Sequence, residues 1–303
     1  MSDIVRVETI SQIHDFLGIE KPKHPLVSVV RFTKELMEKN FIIDKFVLDL
    51  YQVTYKGGMS GSLGYGRNSY DFQEGTLMFT KPGQVISINE PHNIESEPNG
   101  WVLLFHPDLI RKSELGKHIS KYSFFSYDVN EALHISDDEK QTIFELLEKI
   151  VKEYSMNIDK HSQKLIISNI ELLLDYCTRY YDRQFYVRSN MNKDIVTKFE
   201  DLLENYYNSN KLIEAGIPSV KYCGEELNMS SNYLSDMLKK ETGRNAQEHI
   251  HFFLVDKAKT KLLNSGDTVS QIAFDLGFEY PQHFSKIFKK KTGMSPAEYR
   301  QMN

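Results

Sequence analysis

The chain has 303 residues, 40% hydrophobic and 26% charged, an ordinary globular composition with length enough for two domains. No apolar run reaches the roughly 18 residues of a membrane span, and the N-terminal MSDIVRVETISQIHDFLGIE holds neither an apolar export region nor a small-residue cleavage site, so a cytoplasmic protein without a membrane partner is expected. The net charge of −5 excludes a uniformly basic nucleic-acid binder; residues 219–303 carry 12 Lys and Arg against 10 Asp and Glu, the remainder 25 against 32, so any nucleic-acid footprint is a local face.

In chain order, residues 41–106 read as short strands. FVLDLYQVTY, GTLMFTKPG, QVISIN and GWVLLFHP are apolar or alternating runs cut by Gly, Pro and Asn, the pattern of a small barrel or sandwich. The pattern then turns helical. SDDEKQTIFELLEKIVKEY opens on Ser136-x-x-Glu139, a capping box. DKHSQKLIISNIELLLDYCTRYYDRQF is a second helix, apolar on most sides and therefore expected against the first helix or against another subunit. MNKDIVTKFEDLLENYYNSNK is a third, and AGIPSV at 215–220 breaks the pattern. The expected division is a β-rich unit at 1–135, a helical dimerisation segment at 136–215 and an all-α unit at 216–303. The two cysteines, Cys177 and Cys223, lie in apolar helical patterns without a C-x-x-C and read as buried reduced thiols.

The last 85 residues repeat themselves. KKETG at 239–243 returns as KKKTG at 289–293. Val220, Cys223, Gly224 and Leu227 stand 49 residues before Val269, Ile272, Ala273 and Leu276, whereas Leu234 to Gly243 stand 50 before Phe284 to Gly293. The one-residue insertion, around Glu279 to Gln282, marks a turn. Each copy is thus a short helix, a tight turn and a second helix closed by Gly243 or Gly293, with a small residue, Gly224 or Ala273, where the helices cross. Gly277 suits the left-handed residue that ends a helix. NAQEHIHFFLVDKAKTKLLNSG is a longer helix between the copies, started by Asn245-x-x-Glu248 and ended at Gly266; Thr268-x-x-Gln271 and Ser295-x-x-Glu298 open two more.

Those residues resemble the AraC/XylS family of bacterial transcription regulators. Ile272-Ala273, Leu276-Gly277-Phe278, Phe284, Phe288-Lys289-Lys290, Gly293, Ser295-Pro296 and Tyr299-Arg300 match its signature, and EELNMSSNYLSDMLKKETG is similar to its first motif. The resemblance implies two helix-turn-helix units on a linker helix, their second helices entering successive major grooves, which lie about 34 Å apart. The outward side then holds Asn232, Ser235, Asp236 and Lys239 on the first recognition helix. On the second it holds Gln282, His283, Lys286, Lys289 and Lys290. Gln282 suits adenine, His283 or Lys286 suits guanine N7 or O6, and the later lysines suit phosphate. Pro281 stands where many relatives carry a hydrogen-bonding side chain, so no direct readout is expected there. Asp236 is acidic where a basic or amide residue is common; it either accepts from cytosine N4 or marks a weaker first unit.

The N-terminal part resembles the family loosely, through EGTLMFTKPGQVISI, which is similar to a strand pair of a cupin-like barrel. The expected fold class is α+β: a cupin-like β-barrel with following helices, then an all-α double helix-turn-helix domain. No paired His and Glu precede Lys81-Pro82-Gly83, and His92 and His106 read as surface or hydrogen-bonded residues, so neither a metal nor another cofactor is expected. Two readings stay open. In one, a small-molecule effector binds inside the barrel, with Tyr51, Tyr65, Arg67, Phe79 and Trp101 as candidate contacts. In the other, the N-terminal part binds no ligand and serves dimerisation, through the apolar helix at 161–177, or a protein partner. The partners implied are double-stranded DNA, a second copy of the chain and RNA polymerase. An enzyme, whether a metal cupin or a DNA-alkyl-transfer protein, is not expected, because no activating Lys or His set accompanies either cysteine.

Overall fold

The computed structural model describes residues 5–37, 45–57, 62–65, 68–71, 75–87, 99–128, 131–156, 159–187, 189–209 and 211–301. The chain forms two compact units, Met1–Tyr186 and Val187–Asn303. The division falls upstream of residue 216, where the all-α unit was expected to begin.

The first unit opens with β1 (Val5–Val7), α1 (Ile10–Leu17), β2 (Val27–Arg31) and α2 (Lys34–Met37). Then come β3 (Lys45–Leu48), β4 (Tyr51–Gly57), β5 (Ser62–Tyr65), β6 (Asn68–Asp71), β7 (Thr76–Thr80), β8 (Gln84–Ser87) and β9 (Asn99–Phe105). Short helices α3 (Pro107–Ile110) and α4 (Glu114–His118), two 3-10 turns and β10 (Leu133–His134) lead to the long helices α5 (Asp137–Ser155) and α6 (Ser162–Val187). Thr9 and Gln12 cap α1 reciprocally, and Ser136 and Glu139 do the same for α5, leaving few orphan amides at either N-terminus.

The strands make two five-stranded sheets, ordered β1-β3-β8-β5-β6 and β10-β7-β4-β9-β2. Among the described residues they are separate sheets and no closed barrel is seen; β1 and β2, which join at the edges, lie outside the 41–106 stretch read as strands. One face of the second sheet shares a core with the first. Val30, Val102 and Leu104 cluster there with Val7, Phe46, Leu48, Ile86 and the α1 residues Ile10 and Ile13. The opposite face is aromatic. Tyr51 stacks on Phe105 at 5.0 Å, Tyr55 and Trp101 meet Phe144 of α5 edge-on, and Phe79 packs on Phe124, Phe125 and the α6 residue Tyr181. Such rings bury large areas and fix helices onto the sheet.

The second unit is helical throughout its described residues: α7 (Ser189–Tyr207), α8 (Lys211–Ala215), α9 (Val220–Glu226), α10 (Ser231–Thr242), α11 (Ala246–Asn264), α12 (Val269–Asp275), α13 (Pro281–Thr292) and α14 (Pro296–Arg300). Its helix starts follow the sequence closely. Asn245/Glu248, Thr268/Gln271 and Ser295/Glu298 all form reciprocal capping boxes. The end of α11 differs: the helix stops at Asn264 on an extended Ser265, and Gly266 is not among the left-handed glycines.

Candidate nucleic-acid interface

The repeat is two helix-turn-helix units, α9–α10 and α12–α13. In each, the first helix ends in a Schellman motif. In the first copy the amides of Asn228 and Met229 donate to the carbonyls of Glu225 and Gly224, at 3.2 and 2.8 Å. In the second, Gly277 and Phe278 donate to Phe274 and Ala273, at 2.9 and 3.0 Å. The motif needs a left-handed residue, which is Gly277 (φ 78°) in the second copy and Asn228 (φ 56°) in the first. Asn tolerates that region better than other side chains, which explains how the first copy dispenses with glycine.

The second helices close alike. Gly243 and Gly293 are left-handed, and the Thr242 and Thr292 hydroxyls donate to the Leu238 and Phe288 carbonyls one turn back. Inward faces are apolar: Tyr233, Leu234, Met237 and Leu238 on α10, Phe284 and Phe288 on α13, all buried. The signature residues of the resemblance are therefore mostly scaffold. Ile272, Ala273, Leu276 and Phe278 are buried, and Tyr299 meets Phe288 edge-on. The Arg300 guanidinium donates to the carbonyls of Asp267 and Leu262, tying α14 to the last turn of α11 and the segment after it.

The residues expected to meet DNA lie on the opposite faces. Asn232 and Lys239 are exposed on α10, with Ser235 and Asp236 half-buried between them. Gln282, His283, Lys286, Lys289 and Lys290 are all exposed on α13. Electrostatically the two helices differ. In α10, Lys239 and Lys240 are offset by Asp236 and Glu241; α13 carries Lys286, Lys289, Lys290 and Lys291 with no acidic residue. The field of those lysines reaches α11: burial first, then Lys291 and Lys290, hold His251 below the usual imidazole value. Lys291 and the exposed Tyr280, whose ring meets His283 edge-on, were not singled out from the sequence. Tyr280 lies in the inserted turn, where spacing gives no face.

Helix α11 packs against α10, α12, α13 and α14. Lys257 on it donates to Glu204 of α7 at 2.8 Å and covers the rings of Tyr207 and Phe253; Lys261 donates to Asp275 of α12 at 2.8 Å. Such half-exposed pairs contribute little stability each, but they fix which faces meet.

A family model described as a helix-turn-helix domain matches residues 223–302. The C-terminal region is a helix-turn-helix domain, similar to those of AraC-family regulators. The chain is 38% identical over 73 residues to the transcriptional activator RhaS of Escherichia fergusonii, covering 24% of this chain and 26% of that protein. It is 35% identical over 92 residues to the uncharacterized transcriptional regulatory protein YesN of Bacillus subtilis, covering 29% and 25%. The chain thus spans about a quarter of the length of these relatives. A solved C-terminal domain of the response regulator yesN from Fusobacterium nucleatum aligns with 35% of this chain and 98% of its own, at 29% identity and a TM-score of 0.31. No described helix is long and apolar enough to cross a membrane. In the helix-turn-helix domain Cys223 is buried, and burial raises its thiol to about 11; Cys177, in the other unit, is raised further by burial, so both stay protonated near neutrality.

The candidate effector contacts sit differently. Strand alternation turns Tyr51, Phe79 and Trp101 toward the helices, where they are packed among rings rather than facing the space between the sheets. Alternation alone cannot tell which face helices cover. Tyr65 lies on β5; Arg67 and His92 fall outside the described residues. His106 accepts from the Asp108 amide as the cap of α3. The inter-sheet face instead carries Gln52, Thr54 and Lys56 of β4 beside Thr80 and Thr76. Gln52 donates to Thr54 at 2.6 Å, and Lys56 is 4% exposed, its ammonium pushed down to about 7 by burial. The signal was present as Q-x-T-x-K at strand period, within a run otherwise read for its apolar residues.

Proposed function

We propose that the protein is a sequence-specific DNA-binding transcription regulator whose two recognition helices enter successive major grooves. The observation that carries this reading is the paired design itself: two helices with buried apolar backs and outward polar faces, held by one packed linker helix. Gln282, His283 and Lys286 of α13 are suited to base edges, and Asn232, Ser235 and Asp236 of α10 to a second set. Lys239, Lys289 and Lys290 are suited to phosphate. The charge imbalance between α10 and α13 supports a division in which the second unit supplies most of the electrostatic attraction.

Control is assigned to the N-terminal unit, with a small anionic molecule, such as a carboxylate, taken between the sheets beside Gln52, Thr54 and Lys56. Burial lowers the Lys56 ammonium to about 7, and an anion beside it favours the charged form, which couples binding to that group. A second reading, ligand-free dimerisation, is favoured by one observation: Leu165 and Leu172 lie exposed at heptad spacing on α6. RNA polymerase and a second copy of the chain belong to this proposal as partners, and the cytoplasm as its location.

The test is selection of bound duplexes from a random pool by the full chain, followed by affinity against salt. A selected site with two contacted segments one helical turn apart, and binding that falls steeply with salt, is expected. Failure to enrich any sequence refutes the reading.

A further inference from the structure

The two helix-turn-helix units are joined through α11, but a second connection lies off that axis. Helix α8 and the residues after it, Lys211 to Pro218, run from α7 to the first helix-turn-helix and touch the turn of the second. There two left-handed glycines meet, Gly216 (φ 74°) and Gly277 (φ 78°). A methyl group placed on Gly277 would stand 2.9 Å from Leu212 Cδ2 and 3.0 Å from both the Gly216 carbonyl carbon and the Ile217 nitrogen. One placed on Gly216 would stand 3.3 Å from the Gly277 oxygen. Glycine at 277 thus serves two needs, the helix ending and this close approach.

The strap is anchored on every side. The Tyr206 hydroxyl of α7 donates to the Gly216 carbonyl at 2.9 Å, and the Gly216 amide donates to Leu212 at 3.1 Å. Lys211 donates to the Tyr222 hydroxyl of α9 at 3.0 Å and lies over its ring. Leu212 is buried and, with Pro218, lines a small apolar space against Ile250, Phe253 and Leu254 of α11. Helix α8 packs on α12. Its neighbour Ile213 points the other way and is 79% exposed. The α8–α12 contact is thus a second tie between the two helix-turn-helix units, away from α11, and it constrains the angle between them.

We propose that Leu212, seated against the Gly216–Gly277 contact, is a positioning residue that fixes the angle between the two recognition helices and so the half-site spacing the protein accepts. The proposal rests on the DNA-binding reading for its second half only. A rigid pair rejects a duplex with one base pair inserted between the contacted segments, because the insertion turns one groove by about 34° and lengthens the separation. A loosened pair accepts it.

Two measurements on the full chain test this. First, spin labels are placed on Asn232→Cys and Gln282→Cys, the native cysteines being buried, and the inter-label distance distribution is read by pulsed dipolar spectroscopy. A single narrow distance is expected, retained in the Ile213→Ala control and broadened in Leu212→Ala. Second, unlabelled proteins are titrated with a duplex selected from a random pool and with its one-base-pair insertion. The insertion is expected to weaken wild-type binding on the order of 30-fold and Leu212→Ala binding on the order of 3-fold, with little change on the parent duplex. A merely destabilised variant would lose affinity for both duplexes equally and leave their ratio unchanged. If Leu212→Ala loses its helical spectrum, Leu212→Val takes its place in both measurements. A folded variant with the wild-type distance width, or with the wild-type insertion penalty, overturns the proposal. Broadened distances in a protein that selects no duplex at all would refute the DNA-binding reading and leave the strap standing.

Discussion

The most revealing substitution is Gly224→Ala, because the second copy already carries alanine at the matching position, Ala273. In an exposed helix Gly→Ala stabilises by about 1 kcal/mol. Here the added methyl would stand 2.6 Å from the Met229 carbonyl oxygen, 3.4 Å from the Ser231 nitrogen and 3.5 Å from the Ser230 carbonyl carbon. The first contact is several tenths of an ångström too short and involves backbone, so the turn must open. Forcing an extra methyl into a packed site costs about 1–3 kcal/mol, which outweighs the propensity gain, and a net loss of about 1 kcal/mol or more is expected. The reason alanine fits in the second copy is turn length: five residues, 276–280, separate α12 from α13, whereas four, 227–230, separate α9 from α10. Urea unfolding of the full chain followed by far-UV circular dichroism reads the helices of both units, while fluorescence of Trp101, the only tryptophan, reports the N-terminal unit alone, so the dichroism change not matched by fluorescence belongs to the C-terminal unit. The midpoint of the C-terminal unit's dichroism change is expected to fall and the tryptophan transition to stay. Inserting one glycine between Met229 and Ser230 of the Gly224→Ala variant is expected to restore part of the loss. A Gly224→Ala protein more stable than wild type by about 1 kcal/mol would refute the reasoning, since only helix propensity would then be acting.

Other outcomes follow from the same geometry. Lys289→Ala is expected to weaken duplex binding and to reduce the slope of log affinity against log salt by about 1, Lys286→Ala to weaken binding and relax the base preference at one position, and Lys239→Ala, on the charge-balanced helix, to change affinity less. Asn228→Gly is expected to be neutral within about 0.5 kcal/mol and Asn228→Val to destabilise by about 1–3 kcal/mol, because valine resists the left-handed backbone; thermal melting checks both. Lys56 gives a pH signature. Its folded value, about 7, lies below the ordinary 10.5, so between those values the unfolded chain binds the extra proton and stability rises with pH. The penalty of burying the charge is complete below about pH 7. Lys56→Met is therefore expected to raise the melting temperature at pH 7 and to flatten the rise between pH 7 and 10. A variant whose melting temperature climbs with pH as the wild type's does would refute this.

Much of the C-terminal unit was legible in advance because its signals are short-range. Each reciprocal cap at Asn245, Thr268 and Ser295, each glycine closure at Gly243 and Gly293, and each buried stripe such as Phe284/Phe288 is decided within a few residues of itself. The outward faces of α10 and α13 followed as the complement of those stripes. What the sequence by itself determined, then, is the double helix-turn-helix and its polar faces. Tertiary structure alone decided the matters that depend on distant neighbours. It turned Tyr51, Phe79 and Trp101 toward helices and Lys56 between the sheets, since alternation defines two faces without saying what covers either. It gave α7 to the C-terminal unit, since an amphipathic pattern names no partner. And it brought Leu212 and Gly216 against Gly277, more than 60 residues away, a contact no local rule encodes because close packing is set by shape between elements, not by order along the chain.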